Sequence, residues 1–306
     1  MSAQQREAEV EPGTAASRID TSVAHPRGLH PRVDTSVAHP RGLHPRVDTS
    51  VAHPARRYDY FLGGKDNFAA DRESGDRIIA AFPTVRLWAT ENRAFLRRAV
   101  THLTGEAGIR QFLDIGTGIP TSPNTHEIAQ GIAPDARVVY VDNDPIVLTH
   151  ARALLSSTAD GATAYVDADL REPELILAAP ELRQTIDLSR PVALMLVAVL
   201  HFLADSDDPS GVVDRLVGAL APGSYLVVSH VSFDFLPPKT VNQLSRVAQA
   251  EALCQRSKAE LGSFFEGLDL VEPGIVPLAE WRAEHEPRPR PTAADVSCYA
   301  TVARVP

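Results

Sequence analysis

From Gln111 onward the chain alternates short apolar runs with longer stretches whose apolar residues recur every three or four positions. The runs begin with QFLDI at Gln111 and RVVYVD at Arg137, and continue through Ala162–Val166, Pro191–Val199 and Gly223–Val231. Between them, Thr121–Gly131, Pro145–Ser156, Glu172–Ala179 and Pro209–Leu220 carry helical spacing. Strand and helix in strict alternation predict an α/β fold with a mostly parallel sheet, helices on both faces and right-handed crossovers. The unbroken run PVALMLVAV at Pro191–Val199 suits a central strand covered on both sides. Leu268–Val276 and Val296–Ala303, separated by a Pro-rich loop, are expected to form an antiparallel pair at the sheet edge. Upstream, Asn92–Arg98 continues an amphipathic helix into the first strand.

The first strand ends in Asp114-x-Gly116-x-Gly118, and the second in the acid Asp142. Such a pair of strand ends presents a nucleoside to the carboxyl edge of a parallel sheet. Gly116 and Gly118 let the chain turn sharply, and a side chain at either would fill the space a ligand needs. Asp142 is positioned to accept two hydrogen bonds from ribose hydroxyls. Two ligand classes compete. A dinucleotide fingerprint wants a third glycine at position 121, where the chain has Thr121, and seats a pyrophosphate on the helix N-terminus. An S-adenosylmethionine site commonly reads Asp/Glu-x-Gly-x-Gly, and Asp114 suits the ammonium of that cofactor better than a phosphate. Past the third strand, Asp169 is the candidate acceptor for an adenine amino group.

Ahead of the alternating region lies Tyr58-Asp59-Tyr60-Phe61-Leu62-Gly63-Gly64-Lys65-Asp66-Asn67-Phe68. Aromatics at this density pack a small helical cap onto a core. The same block has the makings of a lid, in which Gly63-Gly64 breaks a helix and Tyr58, Asp59 and Asn67 reach a ligand. Arg93, beside Asn92, is a candidate partner for a cofactor carboxylate.

The chain has 306 residues, 44% of them hydrophobic, enough for one sizeable core. Its net charge of −9 argues against nonspecific nucleic-acid binding. Cys254 and Cys298 match no metal spacing and fit a reducing compartment. The N-terminus lacks an apolar signal core and no run approaches a membrane helix, so a cytoplasmic location without membrane partners is expected. Arg18–Pro31 and Arg32–Pro45 repeat almost exactly, and a third copy starting at Arg46 diverges after Pro54. A 14-residue unit this poor in apolar side chains falls below solenoid size, so residues 1–45 are expected to be disordered or extended. Only the third copy is expected to serve the folded domain. The histidines of the repeats, His25, His30, His39, His44 and His53, have no acid or cysteine completing a metal site.

The blocks IDTSVAHPARRYDYFLGGKDNFAADRE, NRAFLRRAV, FLDIGTGIPTSPNTHEIAQ, ARVVYVDNDPIVLTHARALL, DADLREP, VLHFLAD and APGSYLVVSH together resemble an actinobacterial family of S-adenosylmethionine-dependent methyltransferases, long of unknown function. The resemblance runs from about Arg46 to the C-terminus. It implies the class I methyltransferase fold, a Rossmann-like seven-stranded sheet with one antiparallel strand. It also implies a helical cap at residues 46–105 that works with an S-adenosylmethionine-binding domain at 106–306. Pro120 stands where the wider class often has a third glycine, and the family shares it. By position, the resemblance assigns Asp114, Gly116, Thr117 and Gly118 to the methionine end of the cofactor. Asp142 and Asn143 fall to the ribose, Asp169 and Leu170 to the adenine, and Ala198 and Val199 to the sulfonium side. His201 follows the fourth strand near the transferred methyl, as a general base or as a packing residue. His126 either orients the turn or is one face of a helix. The implied activity is methyl transfer to a small-molecule acceptor, yielding S-adenosylhomocysteine. A noncatalytic binder of the same nucleosides is the alternative, and an NAD-dependent oxidoreductase the more distant one.

Overall fold

The computed structural model describes residues 48–154 and 156–306. The expected repeat segment 1–45, with four of its histidines, lies outside the described residues. The described residues from Asp48 to Pro306 fall in one compact unit.

Three helices come first, α1 (Pro54–Phe61), α2 (Ala69–Ala81) and α3 (Val85–Gly105). His53, at the end of the third repeat copy, caps α1 by accepting from the Ala55 amide, and Pro54 occupies the first turn, where its missing N–H costs nothing. The alternation then runs β1 (Gln111–Ile115), α4 (Thr125–Ile132), β2 (Arg137–Asp142), α5 (Pro145–Leu154), β3 (Ala162–Asp167), α6 (Pro173–Ala178), α7 (Pro180–Thr185), β4 (Ala193–Val197), α8 (Pro209–Gly218) and β5 (Tyr225–Val231). The helices α9 (Pro238–Ala250) and α10 (Lys258–Gly262) precede the short strands β6 (Asp269–Leu270) and β7 (Val276–Pro277). A single-turn helix, α11 (Ala293–Val296), leads into β8 (Cys298–Arg304).

The strand order is β3-β2-β1-β4-β5-β8-β6, with β7 also on β8. Strands β1 to β5 pair in parallel, and β8 runs antiparallel to β5 from Tyr225↔Arg304 to Val231↔Cys298. The expected edge pair is therefore corrected in one respect. The C-terminal run is an interior strand, because one edge pairs with β5 along its whole length and the other pairs with β6 and β7. Its intended partner, Leu268–Val276, is broken at Pro273-Gly274, where proline removes a ladder donor and Gly274 takes φ +80°. The two fragments β6 and β7 share one edge of β8, so eight strands fill seven positions.

Side chains of β1 and β4 are buried on both faces. Leu113, Leu194 and Leu196 meet Ile176 of α6, Leu182 of α7 and Val212 of α8, while Phe112, Ala193 and Met195 meet Phe95 and Ala99 of α3. The chain leaves β1 for β2 on one side and later for β4 on the other. The carboxyl ends of β1 and β4 therefore flank the switch point at which a parallel sheet opens a crevice.

Candidate active site

A single cavity of ≈350 Å³ occupies that crevice and extends beneath the helical cap. Its floor comes from the strand ends. Asp142 is buried, and its Oδ2 accepts from the Gly118 amide at 2.8 Å while Oδ1 accepts from the Asp144 amide at 2.9 Å. These bonds fix the carboxylate at the cavity wall and leave it lone pairs for two hydroxyls. Asp114 accepts from the Thr125 hydroxyl at 2.6 Å. Burial pushes its carboxyl up to about 6, opposed by the Thr125 bond and Arg93. A buried carboxylate this costly to ionise is a strong partner for an incoming ammonium.

The two glycines have different tasks. A Cβ on Gly118 would meet nothing, so this position at φ +69° is open toward the cavity. A Cβ on Gly116 would lie 2.4 Å from the Val199 side chain, so Gly116 makes room for Val199 and only indirectly for a ligand. Thr117 donates its hydroxyl to the Asp114 carbonyl and tightens the turn. Ala198 adopts φ +56°, and its amide donates to Ser229 Oγ, which in turn donates to Asn92 of α3. The end of β4 is thereby tied to the cap.

Asn143 donates to Asp169 at 2.8 Å, and Arg171 pairs with the same carboxylate at 2.9 Å. Both line the cavity beside buried Leu170. Arg93 also lines it, but its Nη2 donates to the carbonyls of Thr121 and Pro123, so its visible task is to clamp the glycine turn.

The cap candidates divide. Tyr58 lines the cavity, donating its hydroxyl to the Ala89 carbonyl and accepting from Asn92. Burial pushes the phenol up to about 12, so it stays protonated. Asp59 and Asn67 are bonded to each other at 2.7 Å, and Asp59 also packs against Gly64. With Gly63, at φ +80°, they build the tight loop between α1 and α2 and stand away from the cavity. His126 is likewise outside it, held at Nδ1 by the Tyr140 hydroxyl. None of these four residues lines the cavity: Asp59 and Asn67 are spent on each other, His126 is held by Tyr140, and Gly63 serves the turn.

Residues not anticipated from the sequence complete the walls. His53 contacts Asp144 at 3.1 Å, as does Arg56, and this cluster fastens α1 to the loop after β2. Arg57, Ser74 and Arg77 converge on Glu251 at the end of α9, closing the cap over the far side of the cavity. Trp88, Phe82, Phe202, Phe233, Leu244 and Val247 supply apolar surface.

His201 lies in a 3-10 turn after β4, buried to 1% exposure, on the cavity wall against Trp88 and Phe202. Its Nδ1 has no hydrogen-bond partner among the described residues. Burial, and then the neighbouring His230, Arg57 and Arg256, hold the imidazole well below its ordinary range, so it is neutral. His230 differs in being partnered at both nitrogens, by the Val231 carbonyl and Arg256.

The residues fit a sulfonium nucleoside better than a dinucleotide. In a pyrophosphate site the helix after the glycine turn offers free amides to phosphate. Here the Glu127 carboxylate accepts from the Asn124 amide at the N-terminus of α4, the Tyr140 hydroxyl accepts from the His126 amide, and buried Asp114 is bonded to Thr125 in the first turn. Carboxylates already occupy the place of the phosphates. An ammonium at Asp114 and ribose hydroxyls at Asp142 answer the groups present.

The model of the S-adenosyl methyltransferase family matches residues 40–306. A DUF574 family protein from Streptomyces avermitilis is 51% identical in a crystal structure, with a TM-score of 0.79, covering 85% of this chain and all of its own. A Thermobifida fusca crystal structure, provisionally named a methyltransferase, is 45% identical with a TM-score of 0.75, covering 85% of this chain and 97% of its own. A Mycobacterium marinum protein provisionally named an S-adenosyl-L-methionine-dependent methyltransferase is 30% identical over 68% of this chain, and the match spans 63% of that relative's length. The fold is that of class I methyltransferases, the cofactor is S-adenosylmethionine, and the chain belongs to the S-adenosyl methyltransferase family.

Proposed function

We propose that this protein transfers a methyl group from S-adenosylmethionine to a small-molecule acceptor held under the helical cap. The observation that carries the reading is the continuity of one cavity from the polar strand ends, at Asp114 and Asp142, to a largely apolar wall at Trp88, Phe202 and α9. The bound cofactor supplies a methyl group activated by positive sulfur. The protein's part is to hold the two reactants in line and keep water out.

In this reading Asp114 takes the ammonium, and Thr117 and Gly118 shape the methionine end. Asp142 with Asn143 takes the ribose. Leu170 covers the adenine while Asp169, held by Asn143 and Arg171, frames its edge. Ala198 and Val199 border the sulfonium. The neutral His201 imidazole is the proton acceptor for an acceptor molecule that arrives protonated. Tyr58 stays protonated and contributes surface rather than base catalysis. Among the described residues no helix is long and apolar enough to cross a membrane, and a cytoplasmic site of action is part of the proposal.

Calorimetric titration with S-adenosylmethionine, S-adenosylhomocysteine and NAD tests the assignment. Binding of both sulfur nucleosides at micromolar level, without NAD, is expected. Binding of NAD alone would overturn it. Formation of S-adenosylhomocysteine in the presence of an acceptor separates a transferase from a noncatalytic binder.

A further inference from the structure

The acceptor end of the cavity has an unusual balance of polarity. Arg57 lines this space, and its Nη1 donates to Glu251 and Ser74, so its charge is matched by a buried carboxylate. Glu251, the anion there, is consumed in turn by Arg57, Ser74 and Arg77. Tyr58 and Asn92 spend their polar groups on Ala89, on each other and on Ser229. A carboxylate or an alkylammonium placed in this space would have to compete with the Arg57–Glu251 pair for its counter-charge, whereas an uncharged group would not. The remaining surface is aromatic to an unusual degree, with Tyr58, Phe61, Phe82, Trp88, Phe202 and Phe233 all contributing. Such walls favour stacked and edge-to-face contacts with a flat ring.

Two buried polar atoms on this wall lack a hydrogen-bond partner among the described residues, the Trp88 indole N–H, which can only donate, and Nδ1 of His201, whose imidazole alone can take a proton. Resting on the methyltransferase reading above, we propose that the acceptor is an uncharged flat aromatic compound and that the methyl group goes to its hydroxyl oxygen, with His201 taking the hydroxyl proton. In the step, an oxygen lone pair forms the new C–O bond while the C–S bond breaks and its electron pair returns to sulfur. The hydroxyl proton passes to His201 and then to water as products leave. A base is required for this nucleophile because the oxygen loses its proton as the bond forms. An arylamine would need no such group, since its methylated product sheds a proton readily to water. A weakened imidazole suffices, because the hydroxyl becomes strongly acidic as its oxygen is alkylated.

Three probes that share the naphthalene ring system and differ in charge test the class: 1-naphthol, 1-naphthoate and 1-naphthylmethylammonium. Calorimetry on the protein saturated with S-adenosylhomocysteine is expected to show naphthol binding at least about tenfold more tightly than either charged analogue. With S-adenosylmethionine, naphthol should yield 1-methoxynaphthalene and S-adenosylhomocysteine in equal amounts. His201→Asn should keep naphthol affinity within about threefold and slow ether formation by about 10²-fold, the usual size of a lost general base. Equal or tighter binding of a charged analogue, no binding of any probe, absence of the ether, or an ether rate indifferent to His201→Asn would overturn the proposal. The methyltransferase reading is judged separately, by S-adenosylmethionine binding without any acceptor, so each can fail alone.

Discussion

At the strand ends the cavity is polar and its residues come in short contiguous stretches, Asp114–Gly118, Asp142–Asn143 and Ala168–Arg171. The opposite wall is apolar, and its residues come from α1, α2, α3, the segment after β5 and α9, brought together only by the tertiary fold. The first region is set by backbone geometry at a switch point, where a glycine turn and an acid on adjacent strands create a nucleoside seat. The second is set by how the helices close. Their closure rests on Glu251, which links α9 to Arg57 of α1 and to Ser74 and Arg77 of α2. On the proposed reading one region recognises the cofactor and the other the acceptor, and the two should respond separately to mutation.

The largest effect is expected at Asp142. Replacement by alanine removes two charge-assisted ribose bonds, each worth about 1.5–3 kcal/mol, so S-adenosylmethionine affinity should fall by about 10²-fold or more in calorimetry. Unchanged affinity would mean that the nucleoside does not sit at this strand end. On the other wall, Phe82→Ala should weaken 1-naphthol binding by about tenfold and leave S-adenosylmethionine affinity within about twofold, since an aromatic pair contributes about 0.5–1.5 kcal/mol beyond the area it buries. Equal losses of both ligands would dissolve the division between the halves. Glu251→Gln should fall between these in consequence. It leaves Arg57 with a weaker partner, lowers the melting temperature and speeds amide exchange in α9, with little change in cofactor affinity.

The same division explains how much was legible in the sequence. Asp114, Gly118, Asp142 and Leu170 could be placed because apolar runs alternating with helical patterns fix strand ends, and strand ends fix side-chain position within a few ångströms. His53, Trp88 and Glu251 carry no local mark. Their roles depend on contacts across long sequence separations, such as Arg57 with Glu251. Asp59, Asn67 and His126 looked available as isolated polar residues, but Asp59 bonds Asn67 and His126 bonds Tyr140. Composition does not reveal whether a polar group is already satisfied. Gly116 was legible as a glycine and not as a neighbour of Val199, because the close approach comes from β4.

A smaller effect sharpens the ammonium assignment. Asp114 is raised to about 6 by burial, so in the ligand-free protein it favours folding below its unfolded value near 4, and that contribution disappears as pH rises through about 6. Ligand binding has the opposite slope, because an ammonium prefers the ionised carboxylate. S-adenosylmethionine affinity should therefore rise as pH increases through about 6 and level off above it. Asp114→Asn should bind more weakly at pH 7.5 and lose that dependence. A variant that keeps the same pH profile would place the titrating group elsewhere.

The smallest expected effect concerns the repeats. The third copy contributes His53, which caps α1, contacts Asp144 and lines the cavity. The first two copies have the same Asp-Thr-Ser-Val-Ala-His-Pro sequence but are followed by Arg-Gly-Leu-His-Pro, without the Arg56 that pairs with Asp144 or the Arg57 that meets Glu251. Docking at the α1 position therefore needs residues that only the third copy has. Deleting residues 1–45 should leave both S-adenosylmethionine affinity and melting temperature unchanged. His53→Ala in the full chain should cost about 1 kcal/mol through the lost cap, seen as a lower melting temperature. If the deletion weakens binding more than His53→Ala does, the upstream copies take part in the site, and the boundary between its two regions would have to be redrawn to include them.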